Sequence, residues 1–174
     1  MIVRTDRDQL VEKSSAPATP GDTIYCEPDD CVVAMKWGAI TRIYPAGEHP
    51  VAEDQLEIYF VRATAKTGIR AGGRAGSIDA TELRAMIEYS LRVADPARFL
   101  VSLSSPGDGD AAVVAWVSSQ VLDAVRSVVG EQQQALSVIS DPMALAEPIL
   151  ERVRGSIVDM GLEVTELASM TFLM

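Results

Sequence analysis

Residues Thr81 to Phe99, TELRAMIEYSLRVADPARF, constrain the fold of this chain more than any other stretch. Leu83, Ala85, Ile87, Tyr89, Leu91 and Val93 fall on one face of an extended backbone; Glu82, Arg84, Glu88, Ser90 and Arg92 fall on the other. Only Met86 breaks the alternation. A period of two sustained this long predicts a strand with one buried face and one wet face. Asp95-Pro96 then ends it, because Asp95 suits a helix cap and Pro96 suits the first helical position at its fixed φ. Phe99 sits just inside that turn, placed to fall back onto the sheet. Burial, solvation and capping account for the whole segment, which points to a scaffold and leaves no residue over for chemistry.

With 174 residues, 48% of them hydrophobic, the chain can bury one sizeable core or two small packed subdomains. No apolar run approaches the roughly 20 residues that span a bilayer. The opening MIVRTDRDQLVEKSS is charged throughout and lacks the apolar centre of a secretory signal, so a soluble cytoplasmic protein is expected. Lys and Arg number 15 against 25 Asp and Glu, a net charge of −10. That balance repels nucleic acid and anionic lipid unless a local patch reverses the field, so no nucleic-acid partner is expected. Cys26 and Cys31 flank a Glu-Pro-Asp-Asp turn. Hairpin-flanking cysteines can bridge, but the expected compartment favours two buried, reduced thiols on adjacent strands.

Residues 1–21 read as a polar N-terminal arm, loosely attached and ending in Ser14-Ser15-Ala16-Pro17-Ala18-Thr19-Pro20. Short strands are predicted at Asp22–Glu27, Cys31–Lys36 and Ile40–Tyr44, separated by Pro28-Asp29-Asp30 and Trp37-Gly38. Pro45-Ala46-Gly47-Glu48-His49-Pro50 reads as a rigid loop and Glu57–Ala65 as another strand. TGIRAGGRAGS, Thr67 to Ser77, reads as a strand and turn with close backbone approaches. Ser104 to Asp110 reads as a plain loop. From Ala111 the pattern becomes helical, with Val113, Val114, Val117, Val121, Leu122, Val125 and Val128 on one stripe and Gly130 as its end. Gln132 to Ile139 gives a short helix; Asp141-Pro142 starts another, with a kink or restart expected at Pro148. Ile149, Leu150, Val153, Ile157 and Met160 form a second stripe, Gly161 follows as a left-handed stop, and Leu162–Phe172 closes as a strand. Strands, then helices, then a last strand make an α+β chain. Residues 22–174 are expected as one domain, strand-rich over 22–103 and helix-rich over 104–174.

Candidate chemical sites are thin. His49 is the single histidine, so neither a multi-histidine metal site nor a nucleophile–base–orienter set can be assembled around it. Asp108 and Asp110 lack the further carboxylates of a calcium loop. TGIRAGGRAGS lacks the Lys-Ser/Thr of a phosphate loop and precedes a strand. Asp123, Glu131, Glu147 and Glu151 read as solvated helix faces. No catalytic residue, cofactor or metal is expected. One charge feature stands out: Arg62, Lys66, Arg70 and Arg74 recur every four residues, and residues 36–76 carry six basic side chains against four acidic ones. Either these arginines keep exposed strand faces soluble, or they form a positive patch that meets an acidic surface of a neighbouring copy head to tail.

In this order the elements resemble the stomatin–prohibitin–flotillin (SPFH, or band 7) superfamily. Cys31–Lys36 with Gly38, followed by Tyr44-Pro45-Ala46-Gly47-Glu48-His49, is similar to the family's opening strand, glycine turn, strand and Pro-x-Gly turn. Leu83–Phe99 is similar to its long strand ending in Asp95-Pro96 and Phe99; Ala111–Gly130 resembles its helix, and Ile149–Phe172 its last helix, Gly161 and closing strand. Glu57–Val61, the glycine-containing run and Asp79 look most like the soluble, virion-core-protein-like branch.

The resemblance implies a twisted, mainly antiparallel sheet with helices of the C-terminal half packed on it. It also implies a non-catalytic, self-associating scaffold or adaptor that recruits protein partners, touching membranes only indirectly. Stomatin-type members add a membrane hairpin and a long charged coiled coil, and virion-core-like members a zinc ribbon. Residues 1–174 carry none of these, so assembly is expected through domain faces, edge strands or the N-terminal arm. The alternative is a monomeric or low-order binding module acting as a structural subunit of a larger particle.

Overall fold

A strand with both faces buried, β3 (Asp30–Lys36), organises the first half of the computed structural model, which describes residues 1–103, 109–132 and 134–174. It pairs antiparallel with β4 (Ala39–Tyr44) on one side and with β6 (Glu57–Arg62) on the other. β1 (Val11–Lys13) adds beyond β6, giving the order β1-β6-β3-β4. One face of this sheet carries Val32, Ala34, Ile58 and Phe60, which share a core with Ile24 and Cys26 of β2 (Thr23–Cys26) and with Ala18, Val51 and Leu56. β2 pairs antiparallel with β5 (Gly47–Pro50), so the rigid loop expected at Pro45–Pro50 is half strand. Its two prolines sit where no ladder bond is lost inside a sheet: Pro45 precedes β5 and Pro50 ends it.

The chain forms two compact units, each built from two pieces: Met1–Ala65 with Arg92–Ala111, and Lys66–Leu91 with Ala112–Met174. This division differs from the expected one at residues 21 and 103. Residues 1–21, expected as a loose arm, are woven into the first unit. Ile2 bridges Ile24, β1 pairs with β6, and Leu10 and Ala18 are fully buried. Arg4 supplies the lock. Its side chain, 2% exposed, is ion-paired with Asp30, itself 5% exposed, and also donates to the carbonyls of Asp6 and Gln9. Burial pushes the Asp30 carboxyl above its ordinary value, and the Arg4 guanidinium partly pulls it back.

Also in the first unit, the Asp-Pro stop works as expected. In α1 (Pro96–Ser102) the Asp95 carboxylate accepts the Arg98 N–H at 3.0 Å, and Pro96 fills the first helical position. Phe99 and Leu100 are buried, and α1 lies against β3.

The second unit is a three-stranded sheet in the order β7-β8-β9, from β7 (Lys66–Gly76), β8 (Glu82–Val93) and β9 (Leu162–Leu173). The fold is thus α+β, with antiparallel strands gathered in three sheets where one was expected, and helices in the C-terminal half. β8 pairs antiparallel with β7 and alternates as its sequence predicts except at Ser90, which was expected on the wet face but is buried, its hydroxyl donating to Glu166 at 3.0 Å. β7 is one strand where a strand and turn were expected; Gly68, at φ +72°, absorbs the bulge between Lys66 and Ile69. α2 (Gly109–Gln132) lays Val117, Val121, Val125 and Val128 into the core, and within the second unit its Ser118 hydroxyl meets the buried Tyr89 hydroxyl at 2.8 Å.

α2 runs through Gly130, which was expected to end it, because tertiary burial of Val128 and Val129 outweighs the roughly 1 kcal/mol cost of an interior glycine. Over Asp110–Glu131 it is also long and apolar enough to cross a bilayer, contrary to the sequence expectation, with a mean hydropathy of 1.3 over 18 residues. Its outer side carries Asp123 and Arg126, paired at 2.6 Å. α3 (Ala135–Ser140) and α4 (Ala146–Ile157) follow, joined by a 3-10 turn, so the pattern restarts just before Pro148. Ile149, Val153 and Ile157 bury against β9, and Gly161 at φ +71° turns the chain into that strand.

Arg4 gives a direct test of how firmly the N-terminal segment is held. Arg4→Met should cost about 3–5 kcal/mol in urea unfolding by stranding Asp30, and Arg4→Met with Asp30→Leu should recover most of that loss. A loss below about 1 kcal/mol, the level of an exposed pair, would mean the segment is not locked.

Candidate interaction surface

The residues on which the resemblance rests are structural, and each has a local reason. Trp37 and Gly38 form the two-residue turn between β3 and β4, with φ of +52° and +78°, the signs a type I′ hairpin requires. Pro45 and Gly47 shape the next turn: the Pro45 carbonyl lies 2.7 Å from His49 Nε2, and the His49 ring stacks at 4.9 Å on Tyr44. Gly47 takes φ +128° at the start of β5. His49 is thereby used within its own turn. Asp95, Pro96 and Phe99 build α1, and Gly161 the entry to β9.

The four cations are divided between the units. Arg62 ends β6 in the first, where it donates to Thr64 Oγ1 and the Arg7 carbonyl. Lys66, Arg70 and Arg74 lie on β7 in the second. There Arg70 faces Glu88 at 3.0 Å and Arg74 reaches Glu82 at 2.9 Å, both on β8. These cross-strand pairs account for two of the four charges within the sheet itself.

Of the other candidates, Asp110 begins α2 and accepts the Leu10 N–H at 2.7 Å, while Asp108 lies outside the described residues. Glu131 is bound by Arg152 at 3.0 Å, and that guanidinium together with the Ser127 hydroxyl lowers its carboxyl below the ordinary value. Asp79 accepts from Ser77, which lowers its carboxyl, and from the Ala135 N–H at 3.4 Å. Among the described residues no three of His, Cys, Asp and Glu converge as a metal site.

The two adjacent glycines of β7 have different surroundings. Gly73 faces the core beneath α2, where a Cβ would meet the Leu122 side chain at 3.0 Å. Gly72 faces out, opposite Met86 in the register, and a Cβ there would find only the Ala85 carbonyl at 3.7 Å. On that outer face a hollow of about 250 Å³ lies among Arg70, Met86, Glu88, Ser169 and Thr171. Met86, the residue that breaks the alternation, is 58% exposed there.

The exposed feature that the sequence reading passed over is Trp37, used only as a turn marker. It is 91% exposed, with Lys36 Nζ 5.1 Å from the ring centre. A Trp where a type I′ turn favours Asn was the available signal. Next to it β4, paired with β3 on one side only, is an edge strand of its sheet and leaves Ile43 46% exposed.

No protein-family model matches the sequence, and no curated protein matches it significantly. The class that fold and surface define is an α+β protein with an exposed apolar hairpin.

Cys26 and Cys31 are free thiols, and they lie on β2 and β3, strands of two different sheets rather than one hairpin. Cys26 is buried as expected, whereas Cys31 is only half-buried. Desolvation pushes each up to about 11, aided by Asp30 at Cys26 and by Cys26 and Asp30 at Cys31. At pH 8 only about one thiol in a thousand is then thiolate. Ellman's reagent at pH 8 should therefore label the native protein slowly and both thiols at once in guanidinium. Rapid labelling of both thiols in the native form would contradict the burial of Cys26.

Proposed function

We propose that the chain is a non-catalytic scaffold of the SPFH type that associates with copies of itself and recruits protein partners. The observation that carries this reading is the β3–β4 hairpin. Trp37 at its tip and Ile43 on its open edge present apolar surface and unpaired backbone groups to solvent. An open edge is a template for pairing with another chain, and an exposed tryptophan is the residue type most often used as an interface anchor. The order of elements supports the family part: a long strand stopped by Asp95-Pro96, a buried Phe99, a long helix, and Gly161 leading into the last strand. Contact with membranes, on this reading, goes through partners.

A monomeric binding module is the second reading, favoured by the ion pairs of Arg70 and Arg74, which leave less free charge for a neighbouring copy. Light scattering on size-fractionated protein separates the two. Self-association should raise the mass above 18.7 kDa as concentration rises. A constant 18.7 kDa at all concentrations would support the module and contradict the scaffold.

A further inference from the structure

Three outward-facing residues are not explained by burial. Trp37 takes a left-handed backbone conformation that a bulky residue adopts at a cost, and exposes its ring. Met86 is an exposed apolar side chain on the polar face of β8. Gly72 has room for a side chain and lacks one, whereas its neighbour Gly73 is required by Leu122. Met86 and Gly72 stand opposite each other on paired strands, and the hollow lies on the side of Met86 toward Arg70 and Glu88.

We infer that this hollow is the seat for Trp37 of a second copy of the chain. At about 250 Å³ it is smaller than the roughly 300–1,000 Å³ of small-molecule pockets and suits one large side chain. Its chemistry fits an indole. The Met86 thioether supplies a soft contact to the ring, and Arg70, with its guanidinium outward, can stack on the ring face. Glu88 and the Ser169 and Thr171 hydroxyls supply acceptors for the indole N–H, which seeks a partner when buried. Lys36, carried beside Trp37, brings a positive charge toward Glu88. Aromatic anchors flanked by polar groups are where binding energy concentrates.

The contact joins the first unit of one copy to the second unit of another. Made reciprocally it closes a two-fold dimer, and made in one direction it propagates or closes as a ring. This inference rests on the self-association reading and names its surfaces.

Three variants test it in the full chain. Trp37→Asn suits the turn better than Trp and should fold at least as stably. Ser169→Tyr fills the seat from an exposed residue that lines it, and Met86→Lys removes its apolar wall. Each should weaken self-association at least tenfold in sedimentation equilibrium, with thermal unfolding of the monomer unchanged or raised for Trp37→Asn. A mixture of Trp37→Asn with Met86→Lys retains one tip and one seat, so it should form dimers and nothing larger. Undiminished assembly of all three variants would overturn the seat while leaving self-association standing. A wild type that is monomeric at every concentration would overturn both. Trp37-dependent binding of a monomeric chain to anionic phospholipid vesicles would assign the tip to a lipid surface and overturn the seat.

Discussion

The inward face of β8 is the constraint on which the second unit depends. Leu83, Ala85, Ile87, Tyr89 and Leu91 occupy one side of a single strand, so the position of the core is set along its whole length. α2 can approach only where the neighbouring strand yields, which it does at Gly73, beneath Leu122. Tyr89 can be buried only because Ser118 takes its hydroxyl. The same alternation forces Met86 outward and leaves Gly72 opposite it. The outer face is therefore a by-product of burying the inner one, apart from the choice of those two side chains.

The first unit depends on a different device. Its small core lies between the four-stranded sheet and the β2–β5 pair, and residues 1–21 close it. A buried ion pair holds that closure. Such pairs contribute little net stability, because desolvating two charges offsets their attraction; what they do is penalise alternatives in which one charge is stranded. Arg4 has few other places to go. The hairpin beyond this core is rigid at its base and bare at its tip, the arrangement expected of an anchor presented by a stable support.

How much of this was legible in the sequence follows from the range of the interactions involved. β8 was legible because alternation is a local signal, and α1 because its cap spans only Asp95 to Arg98. Gly161 was legible because a left-handed stop after an apolar stripe has few other residues to choose from. The N-terminal segment was not. Arg4 looks solvent-exposed until Asp30, 26 residues away, comes to meet it. β5 was missed because Pro45 and Pro50 advertise a turn, although a four-residue strand fits between their constraints. Of the surface, Met86 was visible as a break in a pattern, whereas Trp37 was hidden by the glycine beside it. A cross-strand hollow between Arg70 and Met86, 16 positions apart, needs the register before it exists at all.

On the proposed reading, assembly is a matter of one indole leaving water. The chain has two tryptophans, so Trp116→Phe leaves Trp37 as the only indole emitter. Its emission spectrum, followed by dilution across the range in which the mass changes, is the most direct test. The maximum should lie at the water-exposed position in dilute monomer and move to shorter wavelength in step with the rise in mass. Assembly that proceeds while Trp37 keeps its water-exposed emission would contradict the account.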